Sequence, residues 1–206
     1  YMALVKYNNN SISAVTSAAS IPSGALVPIK TLTASSSATL SFVHGSSDVV
    51  LDSTYPIYLF KFINIHASAD DVGFQFQGNA AGGSGFNETI TSTGFDAYHA
   101  ESGSAQSLRY LTGGDQAQGT SYQNLSTSET ENDASLSGYL YLFSPSNTTF
   151  VKHFMSRIQD THAGYTTDSY YAGYFNTTSA IDEISFKFAS GNIDSGTFKL
   201  YGIKDS

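Results

Sequence analysis

The sequence has no cysteine and no tryptophan among its 206 residues. Without cysteine the chain can have no disulfides, no thiol catalysis and no cysteine-based zinc or iron–sulfur site. Its stability must therefore come from an apolar core, and 14 phenylalanines and 14 tyrosines supply ample area for one. The length is typical of a single all-β domain.

Charge is also scarce, since charged residues make up 13% of the chain against about 25% in an average globular protein. Nine basic residues oppose 17 acidic ones, and the formal charge is −8. The sequence contains no basic stripe that could neutralise phosphates, so we expect no nucleic-acid binding. It also contains no apolar run near the roughly 18 residues of a membrane span and no secretory signal pattern. We therefore expect no membrane insertion, and synthesis in a cytoplasm.

Residues 1–30 are rich in Ser, Ala and Asn, contain Pro22 and Pro28, and show no sustained periodicity. This composition predicts an extended N-terminal arm, followed by a single domain over residues 31–206. Because the arm has little apolar surface of its own, we expect it to become ordered on a neighbouring subunit.

Short strand candidates follow, separated by glycine-rich turns. Segments 39–42, 72–77, 183–188 and 197–200 alternate apolar and polar residues, as half-exposed antiparallel strands do. Segments 57–65 and 139–143 are apolar on both faces and predict central strands, covered by core or by a partner. Segments 150–158 and 170–175 bring the number to about eight. The sequence therefore predicts an all-β antiparallel sandwich, of the jelly-roll type. Residues 98–136 have no clear pattern and predict one long surface excursion that includes a short helix.

No residue pattern points to a catalytic, cofactor or metal site. The five histidines include no pair at metal-ligand spacing; they are His44, His66, His99, His153 and His162. We expect His66 to end a strand as a hydrogen-bonded residue. Asp70 and Asp71 could border a calcium site or an acid–base pair, but no calcium-loop motif surrounds them, which favours turn residues. Glu129, Glu131 and Asp133 are interpreted as a solvated loop.

Nucleophilic catalysis has no candidate either, because Gly82-Gly83-Ser84-Gly85-Phe86 does not match a Gly-x-Ser-x-Gly elbow. Four tyrosines crowd into one stretch: Tyr165, Tyr170, Tyr171 and Tyr174. Tyrosine suits both protein interfaces and sugar stacking. The pattern alone favours packing in a core or between subunits, with a glycan-binding patch as the alternative.

The C-terminal stretch 179–203 contains Ile181-Asp182-Glu183-Ile184, a turn with Gly191, and Gly196-Thr197-Phe198-Lys199-Leu200-Tyr201-Gly202-Ile203. This pattern resembles the closing hairpin of virion structural proteins of marine tailed phages. The opening segment 2–12 and the middle segment 59–66 are similar to members of the same group. The resemblance implies a jelly-roll or lectin-like sandwich that serves as a capsid decoration, head fibre or tail appendage subunit. It carries no catalytic motif.

The sequence thus predicts a non-enzymatic virion structural protein that assembles as a homo-oligomer, with a trimer as one option, and docks on another virion protein. The alternative is a carbohydrate-binding module for host attachment, with a host surface glycan as partner. A glycan-degrading enzyme is a third hypothesis, which rests only on the abundance of carboxylates.

Overall fold

The protein's structure, a computed structural model, describes residues 25–162 and 164–204. The described residues form thirteen strands and no helix. The strands are β1 (Leu26–Ser37), β2 (Leu40–Val43), β3 (Ile57–Ala67), β4 (Val72–Ala80), β5 (Ile90–Ala100), β6 (Gln106–Tyr110), β7 (Ala117–Gly119), β8 (Gln123–Ser128), β9 (Leu136–Phe143), β10 (Lys152–His162), β11 (Tyr165–Phe175), β12 (Ile181–Phe188) and β13 (Ile193–Ile203).

Two antiparallel sheets make up the fold. Sheet A has the order β1-β13-β3-β9-β10-β11-β5-β6, and β7 also pairs with β5. Sheet B has the order β2-β12-β4-β8. The predicted all-β class and antiparallel sandwich are confirmed.

Phenylalanines from both sheets fill the space between them. Phe186 of sheet B lies at its centre, with its ring centroid 5.1 Å from that of Phe62 and 5.6 Å from that of Phe198 in sheet A. All three side chains are at most 1% exposed. Burying a side chain of this size contributes up to about 3 kcal/mol, so these contacts can replace the missing disulfides.

Most of the predicted strands are present. The four alternating segments lie in β2, β4, β12 and β13, because one side of each packs on this core. The two runs that are apolar on both faces are β3 and β9, which are neighbours inside sheet A. Segments 150–158 and 170–175 correspond largely to β10 and β11, whose pairing runs from Lys152–Phe175 to His162–Tyr165.

The predicted arm is too long at its C-terminal end. Strand β1 begins at Leu26 and pairs with β13, from Leu26 opposite Ile203 to Ser37 opposite Ile193. Pairing with β13 keeps this segment extended, although Pro28 is typical of turns. Pro28 is tolerated because β1 is an edge strand, where a residue without a backbone N–H need not donate to a neighbouring strand. Residues 1–24 lie outside the described residues, and so does the expected contact of the arm with a neighbour.

The prediction that residues 98–136 form one long excursion with a short helix is wrong, because this segment is built of strands. It contains β6, β7, β8 and the start of β9, and no helix among its residues, all of which the structure describes. The sequence did not predict strand β8, because Leu125 is its one aliphatic residue. Other buried side chains of β8, such as Gln123, are polar, and Gln123 accepts a hydrogen bond from Ser92. Polar strands of this kind leave no hydrophobic period to detect.

Sheet A is wider than sheet B, and this difference creates the candidate site. The added strands β10, β11, β5 and β6 continue sheet A beyond β9. Phe76 of β4 contacts Phe154 of β10 and Phe175 of β11 in the core, and β8, the edge of sheet B, packs against the rest of β10 and β11. Beyond β8, sheet B has no further strand among the described residues to cover the inner side of sheet A, and a pocket opens there.

Candidate functional site: a polar pocket and an aromatic face

A pocket of about 370 Å³ opens where β8 faces β10, β11 and β5. We call it the polar pocket. Along β10 the inward side chains change from Phe154 and Ile158 to Asp160 and His162, so the apolar core gives way to titratable groups. Further lining comes from Asp96, Arg109, Asn124, Ser126, Ser169 and Tyr171.

Asp160 is the most buried carboxyl group of the polar pocket, with 1% of the residue exposed. The hydroxyl of Ser126 donates to its Oδ2, whereas Oδ1 has no hydrogen-bond partner among the described residues. Burial raises the pKa of Asp160 to about 6, against the opposing effects of the Ser126 hydrogen bond, His162 and the Thr167 hydroxyl group. The Asp160 carboxyl group therefore lies on the inner side of sheet A, and one of its oxygens lacks a hydrogen-bond partner among the described residues.

Asp96 lines the same pocket but is neutralised by an arginine. Arg109 on β6 donates from Nε to Oδ1 at 2.9 Å and from Nη2 to Oδ2, which gives a bidentate pair. The hydrogen bond to Asp96 also raises the pKa of Arg109. The guanidinium carbon lies 4.5 Å from the ring centroid of Tyr98. Asp96 therefore holds β6 on β5 and is not free to act as a second acid or base.

Tyr171 forms one wall of the polar pocket and is 3% exposed. Burial raises its pKa to about 12. Alternation along β11 places Tyr165 and Tyr171 on the inner side of sheet A, and Tyr170 and Tyr174 on the outer side. The four crowded tyrosines of the sequence therefore do not form one patch.

Three residues that are far apart in the sequence meet beside the polar pocket. Nδ1 of His162 lies 2.8 Å from Oε1 of Glu129, and its Nε2 lies 3.9 Å from Oδ1 of Asp71. The backbone N–H of Asp71 donates to Oε2 of Glu129 at 3.3 Å. We call Asp71, Glu129 and His162 the acid–histidine cluster. The potential ligand atoms of the three lie within 4.8 Å of one another.

A second group, Asp70, Glu129 and Glu131, adjoins the first and shares Glu129. Thr130 donates to Asp70 through both its backbone N–H and its hydroxyl, and these bonds lower the pKa of Asp70. The expected turn position of Asp70 and Asp71 is confirmed, since both lie between β3 and β4. The interpretation of Glu129 as solvated is wrong, because it is 7% exposed. Its burial comes from His162 and the β3–β4 connection, which sequence spacing does not reveal.

The other histidines lie apart from the acid–histidine cluster. Nε2 of His66, near the end of β3, is 3.2 Å from the carbonyl oxygen of Glu131, as expected for a hydrogen-bonded residue at a strand end. The backbone N–H of Leu51 donates to Nδ1 of His44. His153 packs near Tyr174 on the outer side of sheet A.

The outer side of sheet A carries a row of cationic and aromatic side chains, which we call the aromatic face. Each member is directly paired with the next across neighbouring strands. In order from β13 to β6 the row is Lys199, Lys61, Tyr139, Arg157, Tyr170, Phe95 and Tyr110. It crosses seven strands of sheet A.

Ring stacking and cation–π contacts order the aromatic face. The rings of Phe95 and Tyr170 stack with centroids 4.8 Å apart and planes at 6°. The guanidinium carbon of Arg157 lies 5.1 Å from the centroid of Tyr170, and a bidentate pair with Asp168 holds it there. Phe95 is 45% exposed and Tyr110 56% exposed. Sequence reasoning missed this row because its members are neighbours only through strand register.

Comparison with protein-family models, with curated proteins and with solved structures finds no match to this chain. Among the described residues, none belongs to a helix with the length and hydropathy needed to cross a membrane.

Proposed function

We propose that this chain is a non-enzymatic structural component of a tailed-phage particle and that it assembles with further copies of itself through the aromatic face. The observation that carries the proposal is the exposed row from Lys199 to Tyr110 across sheet A. Exposed aromatic side chains such as Phe95 and Tyr110 mark interaction sites, and Tyr, Phe and Arg are enriched in protein interfaces.

The order of residues within the row favours a second copy as the occupant. Its two lysines, Lys199 and Lys61, lie at one end, and Phe95 and Tyr110 lie at the other. In a two-fold contact the lysine end of one copy would lie over the aromatic end of the other. Each end would then gain a cation–π partner, which is worth about 0.5–2 kcal/mol per pair. This geometry favours a dimer over the trimer considered from the sequence.

We further propose that the sandwich is a jelly roll. The order β1-β13-β3-β9 facing β2-β12-β4-β8 supports this, because the chain crosses between the sheets at β1–β2, β2–β3, β3–β4, β4–β5, β7–β8, β8–β9, β11–β12 and β12–β13. Strands β5–β7 and β10–β11 are then insertions that widen sheet A. Jelly rolls are common in viral capsid and lectin domains, which agrees with the expectation from the C-terminal hairpin.

The residues of the hairpin pattern have packing roles, which fits a structural protein. Leu200 is 1% exposed and lies in the core, whereas Tyr201 faces outward beneath Lys61. Gly202 leaves room for the ring of Tyr55, which a Cβ would overlap. The pattern would then be maintained by the packing of β13 and by the aromatic face.

The self-assembly proposal is tested by light scattering after size-exclusion chromatography over a range of concentrations. We expect the wild type to form a homo-oligomer and Phe95→Glu to be monomeric with an unchanged circular dichroism spectrum. Phe150→Glu is the matched control, since Phe150 is 68% exposed and lies outside the row. A wild type that stays monomeric, or a Phe95→Glu variant that keeps the wild-type mass, would contradict the proposal.

The virion proposal has a separate test. Antibodies raised against the purified chain should label intact phage particles in electron micrographs, and the label shows whether the subunit belongs to the head or the tail. Absence of the chain from particles, measured by mass spectrometry, would contradict this assignment.

The polar pocket favours a second function, the recognition of a host surface glycan. Its hydrogen-bonding groups and the wall formed by Tyr171 suit a small polar ligand. Glycan binding on an array should be lost in Asp160→Ala and kept in Asp168→Ala, a matched change on the outer side of sheet A. Hydrolysis of a bound glycan is not expected, because Arg109 holds Asp96 and a glycosidase needs two available carboxyl groups.

A further inference from the structure

We propose that Asp71, Glu129 and His162 bind a divalent first-row transition-metal cation at the edge of the polar pocket. This inference does not depend on the proposed role in a virion. The three residues come from three separate segments: the β3–β4 connection, the residue that follows β8, and the last residue of β10. A cation would therefore tie these segments together at one end of the sandwich.

The separations of the ligand atoms fit one shared cation. Zinc binds imidazole nitrogen and carboxylate oxygen at about 2.0–2.2 Å, so two ligands of one ion lie about 3–4 Å apart. The imidazole of His162 can bind the ion through only one nitrogen. Its Nδ1 lies 2.8 Å from Oε1 of Glu129, and one potential ligand atom from each of the three residues lies within 4.8 Å of the other two. Small side-chain rotations would direct one imidazole nitrogen and two carboxylate oxygens to a common point.

The closest of these approaches is not an aligned hydrogen bond. Nδ1 of His162 is buried and, despite the 2.8 Å distance, lacks hydrogen-bond alignment with Oε1 of Glu129. Oε2 of Glu129 accepts the backbone N–H of Asp71, which orients the carboxylate and leaves Oε1 towards the histidine. When Nδ1 carries no proton, Nδ1 and Oε1 of Glu129 are close enough to share a cation.

The neighbouring Asp160 is the independent observation that points to a ligand. It lies two residues before His162 on the same side of β10, lines the same pocket, and is 1% exposed with Oδ1 unpartnered. A buried carboxyl group without a partner is costly. Arg109, which also lines the pocket, is engaged by Asp96. A divalent cation beside His162 would supply positive charge close to Asp160.

The donor set favours a transition metal over calcium. Calcium takes six to eight oxygen ligands, whereas imidazole suits zinc and other first-row transition ions. The all-oxygen group of Asp70, Glu129 and Glu131 is the competing arrangement for calcium. Because both groups use Glu129, the variants that distinguish them are His162→Ala and Glu131→Gln.

The test is isothermal titration of the full chain, freed of metal by EDTA, with zinc, manganese or calcium chloride, together with thermal unfolding. We expect one zinc or manganese ion to bind per chain and to raise Tm. His162→Ala and Asp71→Asn should weaken binding at least about 10-fold and remove the rise in Tm. The side chain of Asp71 is 79% exposed, so its variant should fold normally.

His153→Ala is the matched control, because it removes an exposed histidine on the opposite side of β10. It should bind the ion as the wild type does. The proposal is overturned if the wild type shows no saturable binding, if His162→Ala binds normally, or if His153→Ala also loses binding. Binding of calcium alone that disappears in Glu131→Gln would overturn it as well, in favour of the all-oxygen group.

Discussion

Gly94 on β5 lies directly opposite Tyr171 on β11, and a Cβ atom at position 94 would overlap the ring of that tyrosine. The glycine therefore makes room for the aromatic wall of the polar pocket. Tyr171 is 3% exposed and cannot turn away into solvent.

Gly94→Ala should therefore destabilise the protein, although replacing a strand glycine usually stabilises one. Overpacking of this kind costs about 1–3 kcal/mol. Chemical denaturation measures the loss. Gly113→Ala is the control, since a Cβ at that position meets nothing within 4 Å, and its effect should stay within about 0.5 kcal/mol. Equal stability of the two variants would show that Tyr171 does not occupy the space in front of Gly94.

Phe186 should be among the most sensitive positions of the core, because its ring contacts aromatic rings of both sheets. Phe186→Ala should cost about 3–5 kcal/mol in unfolding free energy, from lost burial and the cavity left behind. Phe150→Ala, at a 68% exposed position, should cost less than about 0.5 kcal/mol. A small effect at Phe186 would mean that the sheets do not pack through this ring.

Lys152 is a lysine with no exposed surface, and it closes one end of the sandwich. Its Nζ donates to the carbonyl oxygens of Phe150 and Thr177, at 2.9 and 3.1 Å. Lys152→Ala should cost about 2–3 kcal/mol, because two carbonyl groups lose a charged donor. Lys61→Ala on the exposed outer side is the control for the charge change, and at a concentration at which the protein is monomeric it should have little effect on denaturation.

Stability should fall as the solution becomes strongly alkaline, in part because of Tyr58. Burial raises the pKa of Tyr58 to about 12, above its ordinary value of 10.0. The folded state therefore holds the phenol proton through a pH range in which the unfolded chain releases it. The contribution of this group is complete below pH 10 and is lost as pH rises from about 10 to about 12.

Tyr58→Phe separates this contribution from that of Tyr171, whose pKa is also raised to about 12. The hydroxyl of Tyr58 accepts the N–H of Asp52 at 2.9 Å and donates to its carbonyl oxygen at 3.0 Å. The variant should lose about 1 kcal/mol near neutral pH and show a shallower alkaline decline in stability. Unfolding curves between pH 7 and pH 11.5 measure both effects, and an unchanged alkaline slope would rule out Tyr58 as a contributor.

Sequence patterns were sufficient to predict the fold class and most of the core strands. Alternation in β4 and β12 follows from local chemistry, since every second side chain of a half-exposed strand must be apolar. The two-faced apolar runs of β3 and β9 likewise identified interior strands of a sheet. Glycine clusters such as the one before Asp115 marked the turns because glycine adopts conformations that other residues avoid.

Which residues meet in the pocket and on the aromatic face depends on tertiary contacts that no sequence pattern indicates. Asp71, Glu129 and His162 are separated by more than thirty residues at each step, and no spacing rule connects them. The row from Lys199 to Tyr110 likewise depends on the register of neighbouring strands. Strand β8 was hidden because most of its buried side chains are polar, and Gln123 and Ser126 form hydrogen bonds with residues far away in the sequence, Ser92 and Asp160. Hydrophobic periodicity reports which side of a strand is buried, but strand order and register decide which side chains share a pocket.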